Sequence, residues 1–146
     1  MSEPPAAFYF RSRGRKKNVY GIPILLFLGI FLISSLPGSA LPAKFPDIIP
    51  HFCEYALLAF FFLRIFSNPA LLKTMATAFA WLILAGALDE LHQALVPGRF
   101  CSLKDLLFDT LGSLSGLMVH AALRRWSAKS RTNKWASQLG DYLFKA

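Results

Sequence analysis

Four apolar runs limit what this chain can become. Residues 19–36, 48–66, 70–88 and 103–123 each approach the roughly 20 helical residues needed to cross about 30 Å of hydrocarbon. The first run carries no charge. The second is apolar apart from His51, Glu54 and Arg64, the third carries Lys73, and the fourth carries Lys104, Asp105, Asp109 and His120. Backbone groups in lipid must find hydrogen bonds within their own segment, so such runs are helices rather than strands. With 55% of residues hydrophobic and only 16% charged, the composition fits the same class. The expected fold is all-α: an integral membrane four-helix bundle with both termini cytoplasmic.

Orientation follows from the cations. Thirteen of the sixteen Lys and Arg fall in the N-terminal segment, around Arg64 and Lys73, or after residue 123; only Lys44, Arg99 and Lys104 fall on the other side. The positive-inside rule therefore puts both termini in the cytoplasm and the two turns near residues 36–47 and 94–102 outside. Residues 1–18 read as a basic arm, 19–125 as the four-helix transmembrane domain, and 126–146 as a cytoplasmic tail. In that tail Trp135, Leu139, Tyr142 and Leu143 have the spacing of a short amphipathic helix lying on the membrane surface. The net charge of +8 suits anionic lipid headgroups, and no nucleic-acid partner is expected. A basic stretch before an apolar run also fits a secretory signal, but Pro37, Pro42 and Pro46 suit an ordered loop after a retained helix.

The acids are unevenly placed. Six of the eight, Asp47, Glu54, Asp89, Glu90, Asp105 and Asp109, lie at or inside the outer ends of the second, third and fourth helices. Helical spacing puts His51, Glu54 and Tyr55 on one face of the second helix, and Asp105, Asp109, Gly112 and Gly116 on one face of the fourth. Asp89 and Gln93 stack on the third helix while Glu90 points about 100° away. Small residues beside the fourth-helix acids let a neighbouring backbone approach closely. The expectation is an outward-opening polar cavity with Glu54, Asp89, Glu90 and His92 as catalytic candidates. His51, Gln93, Arg99, Asp105 and Asp109 are the binding candidates, and Arg99 is the counter-ion of at least one acid.

Local structure accounts for part of this pattern. Ser102 and Asp105 have capping-box spacing, and Asp47 suits a helix start. Glu54 and Asp109 sit roughly 5–10 Å below their helix starts, where no cap explains them and an unpaired charge is expensive. His120, at the cytoplasmic end of its helix, reads as an interfacial side chain. His51-x-x-Glu54, Asp89-Glu90-x-His92 and Asp105 offer nitrogen and oxygen ligands, yet their spacings match no standard signature, so no metal or other cofactor is assigned. No phosphate-binding glycine loop or nucleophile elbow is present. Cys53 and Cys101 both fall on the outer side, where an oxidising compartment permits a bridge; free thiols are the preferred of the two readings.

Together Asp47-x-x-x-His51-Phe52, Glu54-Tyr55, Asp89-Glu90-x-x-Gln93 and Pro97-Gly98-Arg99-x-x-Ser102-x-x-Asp105-x-x-x-Asp109-x-x-Gly112-x-x-x-Gly116 resemble the VanZ-like family of small bacterial membrane proteins. The resemblance runs from about the first helix to the end of the fourth. Two positions depart from it: Ile48 stands where the family commonly has lysine, and Asp109 where it commonly has asparagine. The resemblance implies a multi-pass protein of the bacterial cytoplasmic membrane. The family is named for a protein linked to low-level teicoplanin resistance, which implies the cell envelope without giving a reaction. The partners expected are membrane lipids and a lipid-linked envelope precursor, or else a larger membrane complex of which this chain is a small accessory subunit. Four helices without an evident inverted repeat make a transporter the weakest alternative.

The orientation is directly testable. In a background with both native cysteines replaced by serine, an impermeant maleimide added outside the cell should label cysteines introduced near Arg99 and miss those between Arg64 and Lys73. The reverse pattern overturns the assignment.

Overall fold

The computed structural model describes residues 18–40, 48–66, 72–129 and 134–144. These residues form helices α1 (Gly21–Ser34), α2 (Ile48–Phe62), α3 (Leu72–Gln93), α4 (Leu103–Lys129) and α5 (Lys134–Phe144). Short 3-10 turns occupy Gly38–Ala40 and Leu63–Ile65, and no strand occurs among the described residues. The N-terminal arm, Lys44 and Asp47 lie outside them.

Helix ends follow local chemistry. The Asn18 side-chain oxygen accepts from the backbone N–H groups of Tyr20 and Gly21 at 3.1 Å, and Pro23 sits in the first turn, where its missing N–H costs nothing. Pro97 and Gly98 end the α3 extension, Gly98 in the left-handed region at φ 76° that a Cβ disfavours. At the start of α4 the Ser102 hydroxyl accepts from Asp105 N–H at 3.2 Å, an N-cap.

Three helical segments are long and apolar enough to cross a membrane: Ile48–Ile65, Leu72–Gln93 and Leu103–Lys129, of 18, 22 and 27 residues. The first apolar run is shorter as a helix than as a sequence. Its 14 helical residues span about 21 Å, because the backbone after Ser35 turns toward Pro37 and the 3-10 turn. The fourth run is longer, since helix continues to Lys129 through residues read as the start of a tail. Within α5, Ala136 is buried and Trp135 is 81% exposed. A Cβ at Gly140 would lie 3.0 Å from the Ser127 side chain, so α5 folds back against the end of α4.

Burial is inverted relative to a water-soluble protein. Glu90 and Asp109 are each 1% exposed, whereas Leu25 is 69% and Leu32 66% exposed. Apolar residues on the outside and carboxylates on the inside are stable where the surrounding solvent is lipid. A smaller apolar core, including Ile30, Tyr55, Leu58, Leu63, Leu82 and Leu117, fills the space between helices.

Helices α2 and α4 run parallel, with a constant offset of sixty residues. A Cβ on Gly112 would meet the backbone carbonyl of Phe52, and one on Gly116 the carbonyl of Ala56. Further along, the His120 ring contacts the carbonyl of Phe60 at 2.7 Å. Backbones this close require glycine at both positions. His120 is therefore no interfacial side chain: it is 1% exposed and sealed in the α2–α4 contact. Contacts between the ends of α1 and α3 put those two helices parallel as well, giving an up-down-up-down bundle. Its two turns meet where Gly38 N–H donates to the Pro97 carbonyl at 3.0 Å.

Two glycines separate close packing from simple flexibility. Gly112→Ala should lower the stability of the detergent-solubilised protein by about 1–3 kcal/mol through forced separation of α2 and α4. A methyl group on Gly29 would have no neighbour within 4 Å, so Gly29→Ala should be neutral or stabilising by up to about 1 kcal/mol. Thermal unfolding of both variants checks the contrast.

Candidate functional site

The polar residues gather at the end of the bundle where α1 and α3 finish and α2 and α4 begin. They form two groups, one toward α1 and one toward α4, each held by separate hydrogen bonds. Adjacent residues on α3 divide them, because successive helical side chains point about 100° apart.

Asp89 faces α1. Its carboxylate accepts from the Ser34 hydroxyl at 2.8 Å and from the Gln93 amide at 3.0 Å, and Gln93 also donates to Ser34 at 3.3 Å. The Arg99 guanidinium donates to the Gln93 side-chain oxygen. One turn away, His92 Nε2 hydrogen-bonds the Ser35 hydroxyl at 3.0 Å, and its ring stacks on Phe31 with centroids 4.5 Å apart. His92 thus fastens α1 and lies apart from the other histidine of this end.

Glu90 faces α4. One of its oxygens accepts from the backbone N–H of Ser102 at 2.7 Å. In a capping box that N–H would be met by the acid three residues on, here Asp105. Because Glu90 reaches across from α3 to take it, the Asp105 carboxylate is released from the cap. Below them His51 Nδ1 and Asp109 Oδ1 pair at 2.9 Å, with both side chains buried. The buried pair joins the first turn of α2 to the second turn of α4. The Asp109 carboxylate makes this bond, so an acid at this position serves as hydrogen-bond partner to the imidazole. Gly86 leaves room for it: a Cβ there would come within 3.3 Å of the second Asp109 oxygen.

His51, Glu90 and Asp105 each present one donor atom within 4.8 Å of the other two, and these are the residues able to hold a metal. Several buried atoms have no hydrogen-bond partner among the described residues: Glu90 Oε1, Asp109 Oδ2, Tyr55 Oη and Ser113 Oγ.

The model of the VanZ/LLP1 family matches residues 11–124, most of the chain. The chain belongs to the VanZ/LLP1 family. Comparison with curated proteins and with solved structures gives no match.

In this VanZ/LLP1 protein the sequence candidates are therefore distributed unequally. His51, Glu90, Asp105 and Asp109 come together, as do Asp89, His92, Gln93 and Arg99. Glu54 is half-buried and bonds to neither group. Among the described residues Arg99 does not form the close ion pair with an acid that the sequence suggested: its guanidinium donates to the neutral Gln93, and Glu54 lies near enough to feel its charge. Ser34 and Ser35 were missed, although they are the first adjacent polar pair to close the uncharged run, and the backbone amide of Ser102 carries no signal in a sequence. Cys53 and Cys101 are free and exposed. An apolar groove of about 380 Å³ lies between α1, α2 and α3, lined by residues including Phe27, Phe62, Trp81, Ala85 and Leu88; no residue of either polar group lines it, and Leu88 is the lining residue next to Asp89 in the chain.

Separate groups should behave separately. A double-mutant cycle between His51→Ala and Asp109→Ala should give a coupling of about 0.5–3 kcal/mol, whereas His92→Ala with Asp109→Ala should be additive within about 0.5 kcal/mol. Equal coupling in both cycles would show one continuous network.

Proposed function

We propose that this VanZ/LLP1 protein engages an anionic, phosphate-bearing lipid or lipid-linked envelope intermediate from the extracytoplasmic side of the bacterial cytoplasmic membrane. The observation that carries the reading is the succession of two unlike chemistries along α3. Ala85 and Leu88 line the apolar groove, and the next residue of α3, Asp89, begins the polar groups. A lipid offers the same sequence of chemistry, chain then headgroup, along its own length. The orientation is that of the charge bias, with the polar end outward.

Arg99 supports an anionic headgroup. Its guanidinium is half-buried and hydrogen-bonds a neutral amide rather than a carboxylate, with Glu54 acting on it only through its charge. Guanidinium and phosphate match in geometry as well as charge. Lys104, exposed at the start of α4, adds a second cation at the same level. The buried acids behind them suit exchange of a proton or a cation with the bound group.

The test is Arg99→Ala and Arg99→Lys in the full chain, measured for binding of phosphatidylglycerol against phosphatidylcholine by native mass spectrometry and for thermal stability. Loss of one charge-assisted contact should weaken the anionic lipid about tenfold or more, with little change for phosphatidylcholine and partial recovery in Arg99→Lys. If each loss of binding follows a loss of folded protein, Arg99 serves the fold alone. The accessory-subunit reading then replaces this one.

A further inference from the structure

We infer that His51, Glu90 and Asp105 form a binding site for one divalent cation of the zinc or manganese class, with Asp109 orienting the histidine. The site draws one ligand from each of α2, α3 and α4, which is why no ligand spacing announces it in the sequence. It stands on the geometry of these residues and does not rest on lipid binding.

Each residue has one donor committed and another left over. His51 uses Nδ1 for Asp109, which leaves Nε2 for a ligand. A carboxylate holding the far nitrogen of a metal-bound imidazole is a common way to fix its tautomer and direction. Glu90 uses Oε2 for the Ser102 N–H. Its other oxygen, on a side chain 1% exposed, has no partner among the described residues. Burying a carboxylate oxygen without a partner is costly in a membrane protein. Asp105 has been relieved of its capping role by Glu90, and its carboxylate makes no hydrogen bond among the described residues. The three residues each bring one ligand-capable atom to within 4.8 Å of the other two.

The dimensions fit after small side-chain adjustment. Ligands about 2.1 Å from a tetrahedral ion stand about 3.4 Å apart, so rotations bringing the atoms closer by an ångström or so close the shell. One nitrogen and two carboxylate oxygens suit zinc or manganese better than magnesium, which keeps its waters, or calcium, which takes six or more oxygens. Charge points the same way. Glu90, Asp105 and Asp109 surround a single imidazole, so a dication offsets an acid excess that this histidine alone does not meet. Three protein ligands also leave a coordination position open, as in zinc sites that bind water or an oxygen of a substrate.

The full chain, purified in a zwitterionic detergent without added lipid and stripped with chelator, is loaded with Zn2+ or Mn2+, desalted and assayed for bound metal. About one equivalent should remain on the wild type, and its thermal midpoint should rise on loading. Asp105→Asn, which leaves the Ser102 cap and the Glu90 bond in place, should weaken retention at least tenfold, as should Glu90→Gln. Pulsed EPR of the Mn2+-loaded wild type should show nitrogen coupling from one imidazole, whatever the folding of the variants. Absence of stoichiometric metal, unchanged retention in both variants, or a manganese signal without nitrogen coupling would each overturn the site. Any of these results leaves the lipid measurements with Arg99 untouched, since those are made without metal.

Discussion

Everything at the polar end depends on how closely α2 and α4 approach. Hydrophobic burial gives membrane helices no reason to prefer one another over lipid chains, so their association rests on backbone proximity and on hydrogen bonds inside the bundle. Gly112 and Gly116 supply the proximity by letting α4 lie against the carbonyls of Phe52 and Ala56. That contact fixes the sixty-residue register, and the register decides which side chains meet. His51 reaches Asp109 at one end and His120 reaches the Phe60 carbonyl at the other. A side chain at Gly112 would disturb both together.

The second organising element is the pair Asp89 and Glu90. Consecutive acids on one helix cannot serve the same neighbour, and here each binds a different one: Asp89 holds Ser34 of α1, and Glu90 holds the first amide of α4. Helix α3 is thereby held against rotation from two sides. The arrangement also explains the release of Asp105. A cap that is normally completed within four residues is completed across helices, and the acid that would have closed it is left out of the cap.

Much of the fold was legible in the sequence because lipid imposes a simple rule: long apolar runs become helices, and runs of 19, 19 and 21 residues do so here with only their ends shifted. The enrichment of acids at one end was legible for the same reason, since carboxylates are rare in such runs. Their pairing was not. Whether Arg99 meets an acid or Gln93, and whether His92 joins His51 or α1, depends on helix rotation and register, which are set by contacts far apart in the chain. His120 was misread because its position near a helix end suggested the interface, while the glycine ladder one and two turns earlier carries the tight contact on to it. Ser34 and Ser35 were overlooked as ordinary polar residues ending an apolar run, and nothing in the sequence shows that Glu90 takes a backbone amide of α4.

The short first helix has a consequence for the bilayer itself. Helix α1 is about 21 Å long and stands beside α3, of 22 residues, with its end tied to the last turns of that helix through Ser34 and Ser35. Such unequal neighbours cannot both match one hydrocarbon thickness without adjustment. Tilt, or local thinning of the lipid, makes up the difference at a modest cost per ångström. Thinning on the α1 flank would bring the headgroup layer down toward Asp89 and His92 and shorten the path by which water or a polar headgroup reaches them. A length difference between two helices would in that case be felt as a dimple in the membrane beside the polar end.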